Sequence, residues 1–201
     1  GVPWYKVEPR PGKWDWSWTD AALEYLVNVK GITPILDIMH YGTPLWMDNS
    51  FINASYPQRV AEYAAAVAER YKSLVTYITP LNEPMVNAEY CGLKGDWPPY
   101  LSGWDGYVKM TTALAKGLAL SLRAMRSVHP TLQTVQVEAM WQTETNLPQL
   151  AERTATSNER QFLSLDLTQG RMVEGHLLLP WLHQYGMTDQ DLAWFAENAV
   201  T

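Results

Sequence analysis

The chain has 201 residues, of which 47% are hydrophobic and 18% charged, a balance that suits a soluble globular protein with one sizeable core. A formal net charge of -6 argues against nucleic acid, which needs clustered Lys and Arg to neutralise its phosphates. No apolar run approaches the ~20 residues that span a bilayer, so no membrane partner is expected, and the single cysteine, Cys91, excludes an intrachain disulfide or a Cys-based zinc site.

The first predicted element is a strand over Val2–Val7. A helix follows over Thr19–Lys30, with Ala22, Leu23, Leu26 and Val29 on one stripe, Ser17 or Thr19 as N-cap and Gly31 as the stop. Thr33–Met39 is nearly continuously apolar, as expected of a parallel strand covered on both faces. An alanine-rich helix over Pro57–Tyr71 carries Val60, Tyr63, Ala64 and Val67 on one stripe. Next come a strand over Val75–Leu81, the longest helix over Trp104–Val128, and a strand over Thr134–Met140. Helical patterns over Asn158–Gln169 and Thr188–Asn198 complete the chain, the last opened by Thr188, Gln190 and Asp191.

This alternation implies parallel strands with right-handed crossovers, either a doubly wound sheet or a (β/α)8 barrel. No Gly-x-Gly-x-x-Gly or Gly-Lys-Ser/Thr loop follows any strand, so a dinucleotide or P-loop reading has no support. In both architectures chemistry sits at the carboxyl ends of the strands. That rule selects His40, Asn82-Glu83 and Glu138. The chain starts at Gly1 rather than Met and reads as a fragment. One thiol fits a reducing compartment, and a cytoplasmic location is expected.

Glu83 is the sharpest candidate. An apolar strand runs into Asn82-Glu83-Pro84, and a carboxyl desolvated there would hold its proton near neutral pH, as a general acid must. Asn82 offers a donor and an acceptor beside it. The same three residues also fit a loop Glu capping the next helix. His40 can bond a ligand hydroxyl or carry a proton, or be satisfied by a backbone carbonyl. Trp46 on the same loop fits stacking on a ligand or packing within the loop. Glu138 lies in an apolar strand tip, where an unpaired charge is costly; an ion pair with Lys6 is the plainer alternative. His129, His176 and His183 lack metal-ligand spacing and read as structural. Asp189, Asp191 and Glu197 read as a solvated helix face. Ten Trp and eleven Tyr against three Phe suit half-wet surfaces such as sugar faces, though a Trp-rich core or protein interface fits the same counts.

Three stretches together resemble glycoside hydrolase family 1, the β-glucosidases. Trp4-Tyr5-Lys6-Val7-Glu8-Pro9-Arg10-Pro11-Gly12-Lys13-Trp14-Asp15-Trp16-Ser17-Trp18 resembles the family's second-strand region. Pro34-Ile35-Leu36-Asp37-Ile38-Met39-His40-Tyr41-Gly42-Thr43-Pro44-Leu45-Trp46 is similar to its third strand and loop. Thr79-Pro80-Leu81-Asn82-Glu83-Pro84 resembles its acid/base motif, and the likeness continues through Gly92 to Pro99 and the long helix. The resemblance covers nearly the whole chain in the expected order.

It implies an α/β fold, a partial (β/α)8 TIM barrel of about four consecutive βα units (strands 2–5), with residues 1–201 as one partial barrel domain of a longer catalytic domain. It implies a retaining β-glycosidase that hydrolyses O-glycosidic bonds of a β-linked glycoside or oligosaccharide without cofactor or metal. Glu83 would be the acid/base, Asn82 would hold the 2-hydroxyl and His40 another ring hydroxyl, with Tyr41, Trp46 and Glu138 as further substrate-binding candidates. The chain departs from the family in three ways. No Asn-Gly-containing nucleophile motif follows Glu83, so the nucleophile is expected outside this chain. Lys6 stands where the family has Arg, and a point charge cannot orient a carboxylate bidentately as a guanidinium does. Tyr41 replaces a Trp. Glu138 is not expected to serve as nucleophile, because neighbouring barrel strands place side chains in alternate layers. The alternative function is a non-catalytic sugar-binding or scaffold remnant of such a barrel.

Overall fold

The computed structural model describes residues 1–200. They form two compact units. The first joins Gly1–Asn82 with Gly117–Val137, and the second joins Glu83–Lys116 with the chain from Glu138 onward.

The first unit holds three parallel strands, β1 (Ile35–Asp37), β2 (Tyr77–Thr79) and β3 (Gln133–Thr134), in the order β1-β2-β3. Leu36 pairs with Ile78, and Ile78 with Thr134. The strands are shorter than the apolar runs that announce them. Pro80 explains this for β2: it has no N–H to give the ladder, so regular pairing stops at Thr79. Pairing resumes two residues on. The Asn82 N–H donates to Met39 O at 2.9 Å, and Asn82 bridges Val137 in parallel.

The predicted strand over Val2–Val7 is a correction. Only Val2 reaches the sheet, donating its N–H to Asp37 O at 2.7 Å. Trp4–Val7 is a single helical turn, α1. Trp4 and Glu8 stand at helical spacing, and the Trp4 indole N–H donates to Glu8 Oε2 at 2.7 Å. The indole also stacks on Tyr63, with centroids 5.1 Å apart. Three strands are therefore found among the described residues where four were expected, and the sheet is open.

α2 (Asp20–Glu24) continues as a π-helical turn over Tyr25–Val29. Neither Ser17 nor Thr19 caps it. Ser17 bonds Asp15, and the Thr19 hydroxyl pairs with that of Tyr71. α3 (Tyr56–Tyr71) buries the predicted stripe of Val60, Tyr63, Ala64 and Val67. The Tyr63 hydroxyl lies 3.0 Å from Val2 O and 2.8 Å from Ile38 O, so this helix satisfies strand carbonyls as well as covering them.

The second unit opens with a short helix that the sequence did not announce, α4 (Pro84–Ala88), continued by a π-turn over Glu89–Leu93. α5 (Gly103–Val128), whose residues up to Lys116 belong to this unit and the rest to the first, matches its prediction. The helix predicted over Asn158–Gln169 is two, α6 (Ala151–Glu159) and α7 (Leu163–Thr168), joined by a 3-10 turn at Arg160–Phe162. α8 (Leu179–Gln184) is also additional. α9 (Asp189–Glu197) starts at a full capping box between Thr188 and Asp191. Asp191 is not on a solvated face. It pairs with Lys116 at 2.7 Å, and although burial alone would raise its carboxyl, Lys116 and Thr188 hold it below the usual value. No helix among the described residues is long and apolar enough to cross a membrane.

Gly92 and Gly106 set the closest backbone approach in this unit. A Cβ on Gly106 would lie 2.3 Å from Gly92 O, which no real contact allows. In an open helix Gly→Ala stabilises by about 1 kcal/mol. Here Gly106→Ala should instead destabilise by on the order of 2 kcal/mol, because the clash is with backbone. Thermal denaturation followed by circular dichroism checks this, and a variant as stable as the parent would rule the contact out.

Candidate active site

In the first unit, β1 delivers His40 three residues beyond Asp37. His40 Nδ1 lies 2.6 Å from Asp37 Oδ2, while most of the imidazole is exposed. With Nδ1 committed to a carboxylate, that nitrogen carries the hydrogen and Nε2 is left for a ligand. Tyr41 packs edge-on to the ring with centroids 4.5 Å apart. Both line an open cleft of about 230 Å³ with Met39, Lys6 and Trp18. Lys6 is not idle there: its ammonium sits 4.8 Å from the centre of the Trp18 ring. Asn82 is 8% exposed, locked by its backbone to Met39 and Val137. Trp46 is held for packing, its indole N–H donating to Glu8 O at 2.8 Å and its ring set edge-on to Trp4.

Asp37 is the residue that sequence reasoning missed. Its signal was present, since a lone acid interrupts an otherwise apolar strand three residues before His40.

In the second unit, Glu83 is half-buried and sits in the left-handed region, with φ 43° and ψ 66°. For a residue with a Cβ that conformation costs about 1–2 kcal/mol, and Pro84 restricts it further. Glu83 occupies the N-cap position of α4, yet its side chain makes no capping hydrogen bond. Its carbonyl instead accepts the Asn87 N–H at 3.1 Å and the Asn87 amide at 3.2 Å.

Glu138 is tied to the same helix. Its two carboxyl oxygens lie 3.2 and 3.1 Å from the Met85 N. The Ala139 N–H donates to Oε1 at 3.2 Å, and the Ser164 hydroxyl of α7 to Oε2 at 3.4 Å. Among the described residues its hydrogen-bond partners are these two N–H groups and one hydroxyl, not an ammonium. Burial pushes its carboxyl up to about 7. The Met85 and Ala139 N–H groups and Ser164 oppose that, and the charge of Glu83 adds to it.

Three further side chains assemble although their spacing gave no hint of it. Ligand atoms of Glu159, Asp166 and His176 lie within 4.8 Å of one another. The ring tautomer decides what they do. His176 Nδ1 accepts the Leu178 N–H at 3.2 Å, so the hydrogen sits on Nε2, which faces Asp166 at 3.6 Å and Glu159 at 3.7 Å. A metal needs the Nε2 lone pair; here that position is taken by hydrogen, and the trio reads as an imidazole held between two acids.

Three parallel strands connected through helices, in a sheet that is open, define part of an α/β barrel. Solved structures share this fold. A β-glucosidase from Thermotoga maritima in complex with deoxynojirimycin superposes with a TM-score of 0.83 at 19% identity, over 98% of this chain and 46% of that one. The complex of a Thermotoga maritima β-glucosidase with noeuromycin gives 0.84 at 21%, over 98% and 47%. The chain thus spans a little under half the length of the structures it matches. No curated protein sequence matches it. The sequence model for glycosyl hydrolase family 1 matches residues 21–175, and the chain belongs to that family.

The raised Glu138 carboxyl has a thermodynamic consequence. Its folded value of about 7 lies above the ordinary 4.5. The stability it contributes is therefore complete below the ordinary value and is lost as pH rises through about 7. Urea denaturation should show the parent losing about 2 kcal/mol from this group between about pH 5 and about pH 8, after discounting for its partial exposure. Glu138→Gln should lose that component, and an identical pH dependence in both proteins would contradict the burial effect.

Proposed function

We propose that the protein carrying this chain is a retaining β-glycosidase of the β-glucosidase type, with Glu83 as its general acid/base. The observation that carries the reading is the position of Glu83. It directly follows Asn82, which is paired at the carboxyl end of the sheet, and it is held in a strained left-handed turn at the N-cap of the adjacent helix, with no capping hydrogen bond from its side chain. Strained backbone clusters at functional sites, and of the described non-glycine residues with positive φ (Asn49, Ser50, Glu83 and Tyr100) Glu83 is the one that follows the sheet's carboxyl end.

In this reading Glu83 gives its proton to the glycosidic oxygen as the bond to the anomeric carbon breaks. As carboxylate it then takes a proton from the water that releases the sugar. Asn82 and His40 hold ring hydroxyls, and Asp37 fixes the His40 ring so that Nε2 meets the sugar. Tyr41 completes the wall beside His40. Retention also needs a nucleophilic carboxylate, assigned here to sequence outside residues 1–201, in keeping with relatives about twice as long. Glu138 is a poor candidate for it. Its oxygens are committed to Met85, Ala139 and Ser164, and a carboxyl raised to about 7 is half protonated at neutrality.

The test uses Glu83→Ala in the protein that carries this chain. Hydrolysis of an alkyl β-glucoside should fall by about 10²–10⁴-fold. A dinitrophenyl β-glucoside, whose leaving group needs no proton, should still form the glycosyl enzyme, and azide should restore its turnover and yield the β-glycosyl azide. Parent-level hydrolysis of the alkyl glucoside by the variant would sink the assignment of Glu83. A parent protein that binds glycosides but cleaves none would favour a sugar-binding role instead.

A further inference from the structure

The Glu138 carboxyl is held more firmly than ligand binding would call for, and what holds it is the segment that bears Glu83. Both oxygens lie within 3.2 Å of the Met85 N–H, two residues after Glu83. Pro84 between them has no N–H, so Met85 offers the first amide hydrogen after the acid. The Ala139 N–H and the Ser164 hydroxyl fix the carboxyl from the other side, and they leave it little freedom to turn toward a ligand.

We propose that Glu138 is a positioning residue for Glu83: it grips the chain at Met85 and holds the left-handed turn from which the Glu83 carboxyl projects. The functional meaning of this rests on reading Glu83 as the acid/base.

Two further observations support it. A left-handed Glu before a proline needs its surroundings to hold it, and the hydrogen bonds from the Asn87 amide and Met85 bracket that turn on its helical side. The charge of Glu83 adds to the burial that raises the Glu138 carboxyl, so the acid lies close enough for Glu138 to sense it. Tyr107 of α5 also feels Glu138; its phenol is pushed up first by burial, and it feels Arg160 and Glu89 as well. α4 carries no titratable side chain, and Ser164 is the α7 group that reaches Glu138.

Amide chemical shifts of Met85 and Ala139, followed by NMR through a pH titration of the chain, test the proposal. In the parent both amides should shift together with a midpoint of about 7. Glu83→Gln, which removes a charge and leaves the backbone alone, should lower that midpoint. Glu138→Gln should abolish the step, and its Met85 amide should exchange with solvent about tenfold faster. A residue that merely braced the helix would keep the same midpoint in the Glu83 variant. An unmoved midpoint there, or a Met85 step that survives Glu138→Gln, overturns the proposal. Should Glu138→Gln fail to fold, the parent and the Glu83 variant still decide it. No glycoside enters this experiment, so its failure leaves the acid/base reading standing, and a failed azide rescue leaves the grip on Met85 standing.

Discussion

The fold rests on the parallel register of β1, β2 and β3. Parallel pairing sends every carboxyl end to the same edge of the sheet. Asn82 shows how tightly the register is set there, because it is tied by its N–H to Met39 O and bridged to Val137. Each residue of chemical interest comes next in the chain after one of these three: His40 after Met39, Glu83 after Asn82, Glu138 after Val137. Side chains alternate along a strand, so a slip of one residue would swap buried for exposed at each position. The apolar residues before the three polar ones specify the register, and the register presents the polar ones.

Holding that edge in place is largely the work of aromatic residues with polar tips. Tyr63 is fully buried, stacks on Trp4, and turns its hydroxyl to the carbonyls of Val2 and Ile38. Trp4 spends its own N–H on the buried Glu8 carboxylate, and Trp46 gives its N–H to the Glu8 carbonyl. Phe could fill such space but could not satisfy these acceptors. The excess of Trp and Tyr over Phe therefore has a structural use here, distinct from any contact with sugar.

How much of this was legible in the sequence depended on the kind of signal. Thr33–Met39 and Val75–Leu81 were readable as strands because continuous apolar runs between helical patterns admit little else. Their lengths were not, since Pro80 interrupts the ladder while leaving the hydrophobicity unbroken. Val2–Val7 misled because an apolar pattern is visible in sequence, whereas the Trp4–Glu8 hydrogen bond that turns it into a helix is not. α4 escaped because it begins on a proline just after β2 and spans only Pro84–Ala88, too short for a helical stripe to be read. The strand-end residues were legible one by one. The supports of Glu138 were not: Ser164 and Met85 reach it only through tertiary folding.

The chemistry at position 138 explains why an acid without an ion-pair partner is tolerated there. A buried carboxylate lacking a cation is strongly unfavourable, and such groups shift toward the neutral form instead. Three donors pull Glu138 toward its charged form, yet burial outweighs them. The outcome is a group shifted toward its neutral form, with its carboxyl raised to about 7, that still accepts hydrogen bonds. Glutamine would avoid the charge altogether, but it has one acceptor oxygen where Glu138 uses two, Oε1 for Ala139 and Oε2 for Ser164, with Met85 shared between them. Its amide group would meet a donor with a donor on one of those sides. A carboxyl is thus the side chain that can satisfy all three donors, and the proximity of Glu83 adds the reason for its charge to be only partial.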